Sequence, residues 1–137
     1  MNILVIDGQG GNIGRQLVKC ISEQLPDAEL RIVGTNSIAT ANMLKAGTNL
    51  QGATGENAVI VACRKADVIV GPVGIVIADA LLGEVTPKMA NAVAQSNAAR
   101  ILIPFNRCDT IIAGAEKLSI SELIDNAVDN IKKLCKH

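Results

Sequence analysis

The chain alternates short unbroken apolar runs with longer stretches whose apolar residues recur every three or four positions. Residues 3–6 (Ile-Leu-Val-Ile) form the first run, the mark of a strand buried on both faces of a parallel sheet. Asp7 and three glycines, Gly8, Gly10 and Gly11, follow. A helix is then predicted over residues 12–25, with Gly14 in its first turn and Ile13, Leu17, Cys20, Ile21 and Leu25 on its buried stripe. Pro26-Asp27 breaks that helix, and residues 28–33 read as a second strand ending in the polar Gly34-Thr35-Asn36-Ser37. Ser37 is the expected cap of a helix through Ala39, Met43 and Leu44 that stops at Gly47.

The second half repeats the alternation. Residues 49–53 suggest a short third strand, and Thr54-Gly55-Glu56-Asn57 opens a helix to about Arg64. Residues 66–70 form a buried strand that runs into Gly71-Pro72-Val73-Gly74, then an apolar segment expected to be helical as far as Leu82, with a break at Gly83. Thr86-Pro87 is an N-cap followed by proline at the first helical position, starting a helix to about Asn97. Residues 100–104 make another strand, which enters Phe105-Asn106-Arg107-Cys108-Asp109; residues 110–113 suggest a short edge strand. Ser119 and Glu122 form a capping box. The helix behind it is expected to bury Leu123, Ile124, Ala127, Val128, Ile131, Leu134 and Cys135.

Strands alternating with helices across short connections imply right-handed crossovers. The expected fold is a single α/β domain over residues 1–137: a Rossmann-like three-layer sandwich with a mostly parallel sheet of order 3-2-1-4-5 and a short edge strand. Without the third strand, a flavodoxin-like order is the alternative.

Composition removes several functions. Thirteen basic residues balance thirteen acidic ones and Phe105 is the single aromatic, so neither a basic footprint nor a stacking platform for nucleic acid exists. No apolar run approaches the ~18 residues of a membrane helix. Met1-Asn2-Ile3 enters the first strand without a basic leader, so a cytoplasmic location is expected. The sole histidine is His137 and tyrosine is absent, which excludes a Ser-His-Asp centre within the chain and a Tyr-x-x-x-Lys proton donor. Cys20, Cys63, Cys108 and Cys135 stand far apart, so neither a metal site nor disulfides are expected.

In such sheets ligands bind beyond the carboxyl ends of the strands, beside the first. The glycine-rich turn supplies backbone amides and a helix N-terminus for a phosphate. It is no Walker A loop, because Arg15-Gln16 stands where Lys-Ser/Thr would be needed. The candidate nucleotide-binding residues are Gly8, Gln9, Gly10, Gly11, Asn12 and Ile13, then Gly34, Thr35 and Asn36, then Gly71, Pro72 and Val73, and Asn106. NAD or NADP is the expected cofactor. The second strand ends without the acid that usually holds the ribose hydroxyls of NAD, which leans toward NADP.

Asp7 can brace the loop, meet a ribose hydroxyl or hold Mg²⁺. Catalytic candidates are Asp7, Glu56 and Cys108, the last because Arg107 beside it favours a thiolate. Glu56 and Glu84 each follow a glycine near a helix boundary; either can serve as a general base, and capping explains both. Three functions stay open: a nucleotide-binding sensor or accessory oxidoreductase subunit, an enzyme on a small phosphorylated or carboxylated metabolite, and an interaction module. A homodimer that completes the site is compatible with the first.

Taken together, Asp7-Gly-Gln-Gly-Gly-Asn-Ile-Gly, Gly34-Thr-Asn, Gly52-Ala-Thr-Gly-Glu-Asn-Ala, Gly71-Pro-Val-Gly-Ile, Leu82-Gly-Glu-Val-Thr-Pro and Ile103-Pro-Phe-Asn-Arg-Cys carry a resemblance. Over nearly its full length the chain resembles a family of small bacterial proteins defined as a domain of unknown function. The resemblance implies a Rossmann-like fold and brings no activity or catalytic residue with it.

Overall fold

The computed structural model describes residues 1–105 and 110–136. Five strands, β1 (Asn2–Asp7), β2 (Glu29–Gly34), β3 (Gln51–Thr54), β4 (Val68–Pro72) and β5 (Ala99–Ile103), form one parallel sheet of order β3-β2-β1-β4-β5. Among the described residues five α-helices connect or follow them: α1 (Asn12–Gln24), α2 (Ser37–Leu44), α3 (Glu56–Lys65), α4 (Pro87–Gln95) and α5 (Ile120–Cys135). The Rossmann-like sandwich expected from the alternation is therefore the fold, and the short third strand is real.

The pleat of β1 explains the layers. Ile3 and Val5 point to one face, where they pack with Leu17 and Val18 of α1, Met43 of α2 and Val128 and Ile131 of α5. Leu4 and Ile6 point to the other, against Val59 and Cys63 of α3 and Met89 and Val93 of α4. Alternate residues thus feed two separate cores, which is why this strand has no polar face. Asp7 continues the Ile3–Val5 side and is carried under the N-terminus of α1. Among the described residues no helix is long and apolar enough to cross a membrane.

Several expectations are corrected. Residues 73–82 are not one helix. A short 3-10 turn, Val73–Val76, gives way to tight turns in which Asp79, Leu81 and Leu82 adopt positive φ (66°, 57° and 58°). The loop closes on itself, Asp79 N donating to Val85 O at 2.7 Å and Val85 N to Ala80 O at 3.1 Å. Residues 110–113 form no strand, and Ile111 is exposed. Asn36, not Ser37, caps α2: its side chain accepts from Ala39 N at 2.8 Å. Gly34, Gly71 and Pro72 belong to strands, Gly71 paired with Leu102 and Pro72 with Ile103, so the rim loops begin later than the sequence implied.

The capping box at Ser119 and the Thr86 cap are as expected. On α5, however, Cys135 and Leu134 are exposed; the last turn lies beside the start of β1, with Cys135 Sγ 3.1 Å from Met1 Sδ. Cys20 is half-buried at the margin of the α1 stripe, where Val18 takes a core place instead.

Candidate functional site

The glycine loop is built around the carboxylate of Asp7. Its Oδ1 accepts from Gly8 N and its Oδ2 from Gly14 N, both at 2.7 Å. The side chain is only 5% exposed. Burial pushes its pKa above the ordinary carboxyl value, against the lowering effect of the Gly14 and Gly8 amides, and the nearby charge of Glu84 pushes the same way as burial. Gly14 has to be glycine, since a Cβ there would lie 2.8 Å from Asp7 Cβ and collide with the sulfur of Met43. Gly11, at φ 74°, turns the chain into α1 and donates to Gly8 O at 2.9 Å.

This bracing sorts the loop's amides. Gly8, Gly11 and Gly14 spend theirs on the fold. Among the described residues, the amides of Gly10, Asn12 and Ile13 find no acceptor within the protein. The last two belong to the first turn of α1, where unsatisfied N–H groups and the positive dipole end attract an anion.

Glu84 is the residue that sequence reasoning undervalued. It caps no helix, because Thr86 performs that task for α4. The self-closed loop carries it across the end of β1, where its Oε1 accepts from Gln9 N at 2.9 Å, Thr35 Oγ1 at 2.7 Å and Asn36 Nδ2 at 2.6 Å. Partial burial works to raise its pKa, but the Gln9 amide and the Thr35 and Asn36 side chains outweigh it and hold the group below its ordinary value. The carboxylate therefore joins three segments: the glycine loop, the end of β2 and the loop after β4. Asn36 Nδ2 also donates to Gln9 O at 2.9 Å, and Asn42 Nδ2 to Gly10 O at 2.8 Å.

Between the glycine loop and residues 77–82 lies a cleft of about 410 Å³. Gly8, Gln9, Gly10, Gly11, Asn12 and Ile13 line it from the glycine loop; Pro72, Ile77, Asp79, Leu81, Leu82, Phe105 and Thr110 are among the residues that complete the lining. Gly34, Thr35 and Asn36 stand outside the cleft, the last two joined to Glu84. Gly71 packs on the carbonyl oxygen of Ile6, and Val73 does not line the cleft either. Glu56 lies elsewhere, accepting from Thr86 Oγ1 at 2.6 Å and so joining the starts of α3 and α4. Asn106 and Cys108 lie outside the described residues. A larger groove of about 650 Å³ sits at the opposite end of the sheet, around Glu29, Arg31 and Asn49, away from the amides. Among the described residues no three His, Cys, Asp or Glu side chains gather as a metal site.

One family model, "Domain of unknown function (DUF3842)", matches residues 2–136. The chain belongs to that family. This member is similar in structure to a short-chain dehydrogenase/reductase from Veillonella parvula DSM 2008, with TM-score 0.52 and 13% identity over 93% of this chain. It spans 63% of that protein's length. A dodecameric FMN-dependent Ubix-like decarboxylase from Escherichia coli O157:H7 matches more loosely, with TM-score 0.46 and 12% identity, covering 95% of this chain and 94% of that one. At such identities the likeness concerns the fold alone. No curated protein matches the chain.

Proposed function

We propose that this DUF3842 protein binds a nucleotide at the glycine loop, with NAD(P) the first ligand to test, and serves as a sensor or as an accessory subunit of an oxidoreductase. The observation that carries the reading is the set of three amides, Gly10, Asn12 and Ile13, that lack an acceptor among the described residues and line the cleft of about 410 Å³. That volume falls in the range of small-molecule sites. The rest of the lining is mostly apolar, which suits a base or ring, while the amides suit a phosphate. An acid–base role for the two carboxylate candidates is disfavoured, because Asp7 is committed to Gly8 and Gly14 and Glu56 is joined to Thr86 away from the cleft.

Gly10→Val tests the reading. A Cβ at Gly10 meets nothing closer than Asn12 Nδ2 at 3.7 Å, so the variant should fold while its side chain fills the anion's place. In thermal-shift titrations with NAD, NADP, ATP, FMN and inorganic phosphate, at least one nucleotide should stabilise the wild type and not the variant. A ligand at 100 times its Kd adds about 2.7 kcal/mol. With an unfolding entropy of about 0.3 kcal/mol per kelvin for a chain of this length, that is a rise of about 9 °C. Absence of any nucleotide-induced rise in the wild type at millimolar concentration rejects the proposal.

A further inference from the structure

We infer that Glu84 is the acid that recognises the ribose hydroxyls of the bound nucleotide, delivered from the loop after β4 instead of from the end of β2. The inference rests on the nucleotide reading above and names what that site selects.

In dinucleotide-binding sheets an acid at the end of the second strand accepts from the ribose diol and disfavours a 2′-phosphate. Here β2 ends in Gly34-Thr35-Asn36, with no acid. Thr35 and Asn36 nevertheless hold a carboxylate at that place, at 2.7 and 2.6 Å, and the Gln9 amide of the glycine loop holds the same oxygen at 2.9 Å. Three donors on Oε1 fix the group between β1 and β2. They leave Oε2 without a hydrogen-bond partner among the described residues, and an ionised carboxylate has about four acceptor sites in all, more than these three donors fill. The side chain is half-buried and stands beside the cleft, outside its lining, next to the Gly8, Gln9 and Leu81 that do line it.

Two further observations support a built position. Gly8 makes room for it, since a Cβ there would lie 2.6 Å from Leu81 Cδ1 and 3.1 Å from Glu84 Oε1. The loop that delivers Glu84 holds three non-glycine residues at positive φ, a conformation that costs energy and persists only where surrounding contacts impose it. No cation is bonded to Thr35, Asn36 or Glu84 among the described residues, and the Arg15 guanidinium is turned to Asn42 Oδ1 at 3.1 Å instead, so this carboxylate disfavours a 2′-phosphate beside it. The sequence-based lean toward NADP is thereby reversed to NAD.

Isothermal titration of the full chain with NAD, NADP, 5′-AMP and 2′-deoxy-5′-AMP, on wild type and Glu84→Gln, tests the assignment. The wild type should bind NAD about ten- to a hundredfold more tightly than NADP, and AMP about tenfold more tightly than its 2′-deoxy form, the effect of one charge-assisted hydrogen bond. Glu84→Gln should bring both ratios to within about threefold, mainly by losing NAD and AMP affinity and gaining NADP affinity. The wild-type ratios decide the matter even if the variant folds poorly. Equal binding of NAD and NADP, or of AMP and its 2′-deoxy form, overturns the assignment and leaves the nucleotide reading standing. Tighter binding of all four by Glu84→Gln also overturns it, because the carboxylate would then be occupying a phosphate's place. Binding of none of the four by the wild type overturns the assignment, and the nucleotide reading falls with it only if ATP and FMN also fail to stabilise the wild type.

Discussion

Replacing Asp7 by asparagine isolates the brace on which the glycine loop depends. The two carboxylate oxygens accept from Gly8 N and Gly14 N at 2.7 Å each, in a side chain 5% exposed. An asparagine offers one oxygen, so its NH₂ must face the other amide, donor against donor. A buried amide left without an acceptor costs about 1–3 kcal/mol. Removing a desolvated charge works the other way, as the raised pKa of Asp7 indicates. The net loss at pH 7 should be about 1–2 kcal/mol, a fall in Tm of about 3–7 °C. The pH dependence has a definite sign. A carboxyl whose folded pKa lies above its unfolded value binds its proton more tightly in the fold. Wild-type stability from this group is therefore full below the ordinary value near 3.8 and is lost as pH rises through the folded pKa. The asparagine variant lacks that dependence, so the gap between the two proteins should widen from pH 7 toward pH 4. Urea midpoints of both proteins at the two pH values measure this, and the contribution of Glu84 cancels in the difference to first order. A variant as stable as wild type at pH 7 would refute the brace, and a gap that narrows toward pH 4 would refute burial as the dominant influence on Asp7.

Two other expectations concern packing. Gly71→Ala places a Cβ on the carbonyl oxygen of Ile6; both partners are backbone, so β1 and β4 must separate, and a loss of about 3 kcal/mol or more is expected. A urea midpoint within experimental error of wild type would show that the two strands have slack the structure denies them. In native-state iodoacetamide labelling, exposed Cys135 should react fastest of the three described cysteines. Cys20 follows, raised first by burial and then by Asp125 and Glu23, and Cys63, pushed up to about 11 by burial, comes last; labelling of Cys63 at the rate of Cys135 would contradict the core placement of α3.

What the sequence determined by itself was whatever burial writes into a regular period. The unbroken run at residues 3–6 announced a strand covered on both faces, the spacing along residues 12–24 and 120–131 announced helices, and their alternation implied a parallel sheet, with the choice between two strand orders turning on the short third strand. The glycine loop was legible because its turn has a local requirement for small residues, at Gly11 through its positive φ and at Gly14 through the approach of Asp7. The path of residues 77–85 was not legible. Its apolar spacing fits a helix, yet the chain instead folds back so that Leu81 covers Gly8 and Glu84 meets Gln9, 75 residues earlier in sequence. Tertiary structure alone decided that, and with it the placing of the Glu84 carboxylate between the glycine loop and the end of β2. A period records how an element is buried on average; a loop's course is chosen by a few hydrogen bonds to distant partners, whose positions exist only once the sheet has assembled.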